Sequence, residues 1–307
     1  MIKIDIKNIE QIKTAFLNRI NERMQKEGPP TKIATKAGAK IANELYALFQ
    51  ANLESIVLCE AKDMPRYEDM FFNECSGKKL KELKGFKIFK NYMKKQYTAF
   101  INKHGYWLAE ELGVKVCPYC NRNYTSTIKK GARGQNSVRP QFDHFKAKSK
   151  YPFFALSFYN LIPSCPTCNH IKGEKEIEIN PHEKGFADNC RFAIDKIDKC
   201  ILNSDRKLWD IELQNQSNAD KNVETFLLTE LYNEHKDIAE EIVFKAQAYN
   251  EKYCEALSNN FKGLGLNDSD IKRIIFGNYV DTKDYGKRPL SKLTADILHQ
   301  VDVKLPK

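Results

Sequence analysis

Four cysteines stand in two Cys-x-x-Cys turns, Cys117-Pro-Tyr-Cys120 and Cys165-Pro-Thr-Cys168, with 44 residues between them. Zinc takes four thiolates in a tetrahedron, and a Cys-x-x-Cys turn offers two of them from one tight backbone knuckle. A single such turn could equally serve thiol–disulfide exchange. Two in one chain point to a structural zinc, because a closed four-thiolate cage leaves no coordination position open for chemistry. Such an ion would staple a β-rich insert too small to be stable by itself. Between the knuckles lies Arg139-Pro-Gln-Phe-Asp-His-Phe145, and Asn169 directly follows the last cysteine. A histidine with a pKa of about 6.5 is a competent proton acceptor at neutral pH. The carboxylate of Asp143 and the amide of Asn169 are hard oxygen ligands of the kind Mg²⁺ prefers. Asp143, His144 and Asn169 are therefore the parts for metal-assisted hydrolysis of a phosphodiester.

The charge balance points to a polyanionic partner. Fifty Lys and Arg residues stand against 40 Asp and Glu, a net charge of +10, which bears on partners and not on fold. Between positions 76 and 109 nine lysines accompany one acid, Glu82. Between positions 115 and 150 nine basic residues accompany only Asp143. A basic run alone is as readily a solvated surface. A lone carboxylate among nine cations is what a metal ligand beside a polyanion looks like. Lys146, Lys148, Lys150 and Lys172 are the candidates to hold flanking phosphates, which adds salt-sensitive affinity and no sequence choice.

Composition excludes several classes. No apolar run approaches the roughly 20 residues that span a bilayer, and charges interrupt the first sixteen residues in a way no signal peptide tolerates. A cytoplasmic protein without a membrane partner is expected. With four of nine cysteines in knuckles, metal ligation in a reducing compartment is favoured over a disulfide framework; Cys59, Cys75, Cys190, Cys200 and Cys254 are expected to be core or half-buried thiols. No phosphate-binding G-x-x-x-x-G-K-[ST] loop is present, so any dependence on ATP must come from a separate chain.

The elements that must position these residues are mostly helical. Ile9, Ile12, Phe16 and Ile20 recur at helical spacing, and Gly28-Pro-Pro30 ends that helix. Thr31 is a candidate cap for the next, which carries Ile41, Leu45, Leu48, Phe49 and Ile56. A further helix, basic on its outer face, is expected over 89–111 with Gly113 as its stop. Residues 139–145 have the pattern of a short strand, in which Asp143 and His144 would point to opposite faces. Their convergence requires a strand end or an irregular loop. Cys168 to Lys172 is expected to begin a helix, and a Gly/Ser/Asn-rich loop covers 130–137. Helical character returns after Pro181, with the longest periodic segment over 226–253. The expected divisions are a helical region 1–113, a compact core 114–180 and a second helical region 181–307.

The order Cys-x-x-Cys, Asp-His, Asn-Leu, Cys-x-x-Cys-Asn-x-x-Lys closely resembles the zinc-stapled HNH endonucleases, the ββα-metal nucleases. The resemblance covers 114–173, under a quarter of the chain. It implies a mainly α chain with a small zinc-stapled ββα-metal core, α+β overall. It further implies His144 as the general base, and Asp143 and Asn169 as ligands of one catalytic Mg²⁺ or Mn²⁺. Asn160 corresponds to the asparagine that braces the loop and orients the histidine, and Cys117, Cys120, Cys165 and Cys168 to the zinc cage. Many members carry histidine where this chain has Asn169, and His170 is adjacent, so both are candidates for that ligand, with Asn169 favoured. DNA in preference to RNA is the implied substrate. The Ile179-Asn-Pro-His182 stretch and the helix expected over 222–253 resemble, less specifically, the HNH components of Septu and some retron anti-phage systems, which work with a separate ATPase. The N-terminal helical region here is longer than in those proteins. A restriction-type or mobile-element nuclease is the rival setting for the same chemistry.

A different class also fits part of the pattern. A zinc-stapled nucleic-acid-binding or partner-docking module without cleavage activity would keep the cysteines and the basic surface yet owe nothing to Asp143 and His144. The aromatic strip over 151–159 could stack bases, but packing of a small core is the simpler expectation. His104 and His182 have no companions at ligand spacing.

Overall fold

The computed structural model describes residues 1–31, 38–73, 84–130, 137–186, 190–202, 205–215, 219–249, 253, 256–257, 259–260 and 265–301. The chain is mostly helical with two small two-stranded sheets, an α+β arrangement. Its contacts divide it into two compact units, each discontinuous in sequence. One comprises Ile6–Val114 and Ser126–Glu176; the other comprises Met1–Asp5, Lys115–Thr125 and Ile177–Lys307. No described helix is long and apolar enough to cross a membrane.

The first of these units holds helices α1 (Ile9–Glu27), α2 (Ala39–Ala51), α3 (Leu53–Val57), α4 (Met64–Asn73) and α5 (Lys84–Leu112). They are followed by strand β1 (Gln141–His144), strand β2 (Leu161–Ser164) and helix α6 (Pro166–Lys172). In α1 the apolar positions Ile12, Phe16, Ile20 and Met24 are buried, and Gly28 ends the helix in a left-handed conformation, φ 67°. Thr31 does not cap α2, whose N-terminus is Gly38. It is bound instead by the Asn43 side chain, which accepts from the Thr31 N–H and hydroxyl and donates back to its carbonyl. A side-chain amide one turn into the helix thus takes the hydroxyl that a cap would have used.

Helix α5 is the longest element, starting before the expected position 89 and stopping at Gly113 (φ 60°), whose N–H closes onto Ala109 and Glu110. It packs on α2 at a point where only glycine fits. A Cβ on Gly85 would lie 2.5 Å from the Ile41 Cβ, and one on Gly38 (φ 85°) would lie 2.7 Å from the Gly85 nitrogen. Aromatic rings fill the space beneath: Phe16 meets Phe100 and Phe158 edge-on at 5.2 and 5.5 Å, and Phe71 stacks on Phe153 at 4.2 Å. Tyr151, Phe153, Phe154, Phe158 and Tyr159 are all buried, so the 151–159 strip is core.

Strands β1 and β2 pair antiparallel with Asp143 opposite Ile162 and His144 opposite Leu161. Helix α6 follows β2 directly, earlier than expected. Pro166 opens it, Cys165 caps it by accepting from the Cys168 N–H, and Gly173 (φ 49°) closes it just after Lys172. Proline at the first helical position gives up only an N–H that has no helical partner.

The other unit departs further from expectation. Strands β3 (Cys190–Ile194) and β4 (Ile211–Asn215) form a second antiparallel hairpin inside the region expected to be helical. The expected long helix over 222–253 is broken into α8 (Asp220–Thr225), α9 (Leu228–Asn233) and α10 (Lys236–Ala248), after a short α7 (Ile197–Leu202). The breaks have tertiary causes. Leu227 is left-handed, φ 50°; the buried Asn222 side chain accepts from the Glu178 and Ile179 N–H groups; and Asn233 clamps both backbone groups of Ile211. Helices α7, α9 and α10 pack with α11 (Asp268–Phe276), α12 (Ser291–Gln300) and the paired strands around Trp209, Tyr232, Phe192 and Leu293. Cys59, Cys190 and Cys200 are buried thiols. Cys75, Cys254, Gly263 and most of the 130–137 loop lie outside the described residues.

Phe16 ties α1 to α5 and to the segment before β2, and it is fully buried. Phe16→Ala is expected to lower the unfolding free energy by about 3–5 kcal/mol, read from the denaturant midpoint.

Candidate functional site

A cavity of about 450 Å³ opens beside β1 and is lined by Asp143, His144, Ala147, Lys148, Ser149 and Asn169, with Lys90, Asn91 and Lys94 from α5. Gly173 and Glu174 complete the lining. Asp143 and His144, neighbours at the end of β1, both line it. The next amide, of Phe145, bonds to the Asn160 carbonyl in the register of the strand pair, just before β2 begins.

His144 is buried and held on three sides. Its Nε2 lies 3.1 Å from the Ala155 carbonyl oxygen, which only an N–H can satisfy, so Nε2 carries the proton and Nδ1 the lone pair. Nδ1 faces the Lys148 ammonium at 3.4 Å. Tyr97 of α5 packs edge-on against the imidazole, centroids 4.5 Å apart, and its hydroxyl donates to the Phe142 carbonyl at 3.1 Å. Burial, and then the nearby Lys148 and Lys172 cations, hold the imidazole well below the ordinary histidine range, against the opposing pull of the Ala155 carbonyl. The ring is neutral at neutral pH, with its acceptor nitrogen at the cavity. Burial likewise pushes the Tyr97 phenol up to about 12, so it remains a donor.

Lys172 sits differently from the phosphate-holding role expected of it. Its side chain is fully buried, its ammonium donates to the His144 carbonyl at 2.6 Å, and it pairs with the Asp143 carboxylate at 3.3 Å. Burial lowers its pKa, with Asp143 opposing. An ammonium so enclosed cannot reach a phosphate; it fixes the two residues before it on the hairpin. Lys146 is also engaged, in an ion pair with Glu68 at 2.8 Å and over the Tyr151 ring. Lys150 is half-buried and donates to the Glu174 carbonyl. Lys148 alone of the four expected lysines lines the cavity, over the Tyr97 ring at 5.0 Å. Burial lowers its pKa; Asp143 opposes this, while Lys94 and Lys172 add to it.

Asn160 braces the loop as a side chain with no exposure: Oδ1 accepts from the Lys146 N–H at 2.6 Å, and Nδ2 donates to the Lys146 and Phe154 carbonyls. It does not touch the imidazole. It fixes the ends of the loop whose Ala155 carbonyl does. Asn169, from α6, lines the cavity, and its Nδ2 donates to Gln141 at 2.6 Å, which turns the amide oxygen into the atom available to a cation. His170, its neighbour, is exposed and outside the cavity lining. Asp143, His144 and Asn169 thus line one cavity, and the carboxylate and amide oxygens are hard donors.

Sequence reasoning missed Tyr97, Lys90, Lys94 and Gln141. The first three lie at i, i+4 and i+7 along α5, so a common face was legible; nothing local said that this face meets residues 143–148.

The knuckle cysteines come together. Their four Sγ atoms lie within 4.8 Å of one another and all four residues are buried. Zn–S bonds of about 2.3 Å place tetrahedral sulfurs about 3.8 Å apart, so the group could bind a structural metal such as zinc. Backbone N–H groups of Arg122 and Cys168 approach the Cys120 and Cys165 sulfurs at 3.4 and 3.5 Å, which favours thiolates. It is the one metal-capable cluster of His, Cys, Asp and Glu among the described residues.

Two outcomes are expected here. Lys172→Ala removes the ion-pair partner of a buried carboxylate and should lower the unfolding free energy by about 3–5 kcal/mol, measured by urea titration. Cys165→Ser removes a zinc ligand while leaving a hydroxyl able to cap α6, and should lower both zinc content by elemental analysis and the melting temperature. Unchanged zinc and melting temperature would contradict the cage. No protein-family model, characterised protein or solved structure matches the chain, and the chemistry of the cavity stands on its own residues.

Proposed function

We propose that the chain is a metal-dependent endonuclease of the HNH kind that hydrolyses nucleic-acid phosphodiester bonds, DNA in preference to RNA. The observation that carries this reading is the neutral His144, its Nδ1 lone pair presented to a cavity shared with Asp143 and Asn169. A protein built only to bind a backbone has no use for a buried imidazole whose proton is locked on the far nitrogen.

In this mechanism a water in the cavity gives its proton to His144 Nδ1 as its oxygen attacks phosphorus. The P–O3′ bond breaks, leaving a 5′-phosphate and a 3′-oxygen that takes up a proton. Ala155 holds the Nε2 proton in place, Tyr97 fixes the plane of the ring, and Asn160 holds the loop that carries Ala155. Lys148 supplies positive charge beside the reacting phosphate. Asp143 and Asn169 would hold Mg²⁺ or Mn²⁺, which when bound supplies cationic stabilisation to the phosphorus centre and the departing oxygen. Lys172 keeps Asp143 in position from behind. Zinc at the cysteines has a structural part only. The weaker likeness of the flanking segments to anti-phage nucleases suggests an effector of bacterial defence, working beside an ATPase on another chain.

Cleavage of supercoiled plasmid with Mg²⁺ or Mn²⁺ tests the proposal, wild type beside His144→Ala. The variant is expected to keep its fold and zinc and to lose about 10²- to 10⁴-fold in rate. Equal cutting by both proteins would remove His144 as the base. Binding without cutting by both would favour a zinc-stapled nucleic-acid-binding module.

A further inference from the structure

Helix α5 brings to the cavity a feature that the Asp143–His144–Asn169 chemistry does not use. From Lys84 to Gly105 it contains no acidic residue, and Lys87, Lys90, Asn91 and Lys94 recur at helical spacing along one side. Lys90, Asn91 and Lys94 line the cavity. Among the described residues no carboxylate lies within ion-pair distance of Lys87, Lys90 or Lys94. Their cavity neighbours are Lys148 and the acids Asp143 and Glu174, and Asp143 is already answered by Lys172. The helix cannot drift from the site, because the Tyr97 hydroxyl is bonded to the β1 backbone at Phe142 and its ring rests on His144. Lys94 and Lys90 lie one and two turns before that anchor, about 6 Å apart along the helix axis. Ser149 Oγ, in the same cavity wall, is buried and without a hydrogen-bond partner. A buried hydroxyl in that state fits a wall completed by a polar ligand.

We infer that this face of α5 is a phosphate-binding surface: Lys90 and Lys94 hold consecutive backbone phosphates of a nucleic-acid strand leading into the cavity. The inference rests on the nuclease reading for the identity of the polyanion. The lysines supply affinity and register, not sequence choice. A strand held along α5 places its next phosphodiester beside Lys148 and His144.

The test measures equilibrium binding of a fluorescein-labelled oligonucleotide, single-stranded and duplex, by anisotropy over a range of salt. It compares the full-length wild type, Lys90→Ala/Lys94→Ala, and the charge-matched control Lys207→Ala/Lys283→Ala, whose residues are exposed and distant in sequence from α5. The α5 variant is expected to lose about tenfold or more in affinity at low salt, and its log–log salt slope should fall by about 1.4 on single strands and about 1.8 on duplex. The control should follow the wild type. Affinity and slope unchanged in a folded α5 variant, or a loss matched by the control, would overturn the inference even if plasmid is still cut. The expected loss in a protein that never cuts plasmid would support the surface while removing the nuclease reading. No binding of either oligonucleotide by the wild type would overturn the surface itself.

Discussion

A single buried ammonium organises the candidate site. Lys172, at the end of α6, reaches back to the Asp143 carboxylate and to the carbonyl of His144. A cation taken out of water is costly unless its partners are close and complete, so this pair admits few arrangements of helix and hairpin. The β1–β2 hairpin, α6 and the loop braced by Asn160 are held in one register by it. The orientation of His144 follows: its backbone is fixed by Lys172, its ring by Ala155 and Tyr97. Positioning by buried polar contacts on short elements is what a small site needs when its reacting groups must stay within a fraction of an ångström.

The same packing sets the protonation state. The imidazole is buried among cations, so it is kept neutral, with Nδ1 facing the Lys148 ammonium. The cost of enclosing Lys172 and Lys148 is borne by the aromatic core around Phe16, Phe153 and Phe158, which holds α5 and the 151–160 segment against each other. Core and site are therefore one construction in this unit. A change in the aromatic layer reaches His144 through Ala155 on one side and through Tyr97 on the other.

What could be read from sequence was whatever is encoded locally. The two knuckles have a fixed spacing and converge, α1 shows its buried face at Ile12, Phe16 and Ile20, and Gly113 stops α5. The reading failed where distant contacts decide. Thr31 looks like a cap but is captured by Asn43. The periodic run after Asn222 looks continuous, yet side-chain bonds from Asn222 and Asn233 break it. Strand β4 alternates Ile211 and Leu213 with Glu212 and Gln214, a short period-2 signal overshadowed by helical neighbours. Lys172 followed the same logic: a lysine just past the second knuckle reads as surface, and only the fold shows that it closes onto Asp143. The meeting of α5 with the cavity is likewise tertiary, so the common face of Lys90, Lys94 and Tyr97 was legible but what it meets was not.

In the proposed reaction His144 activates water for attack on phosphorus. That step is tested most directly by carrying out the reaction on an oligonucleotide in heavy-oxygen water with Mg²⁺ or Mn²⁺ and weighing the products. The expected outcome is one solvent oxygen on a new 5′-phosphate and a 3′-hydroxyl on the other fragment, both formed about 10²- to 10⁴-fold more slowly when His144 is alanine. Ends of the opposite kind, with phosphate left on the 3′ side, or labelled ends formed at the wild-type rate by the His144→Ala protein, would overturn it.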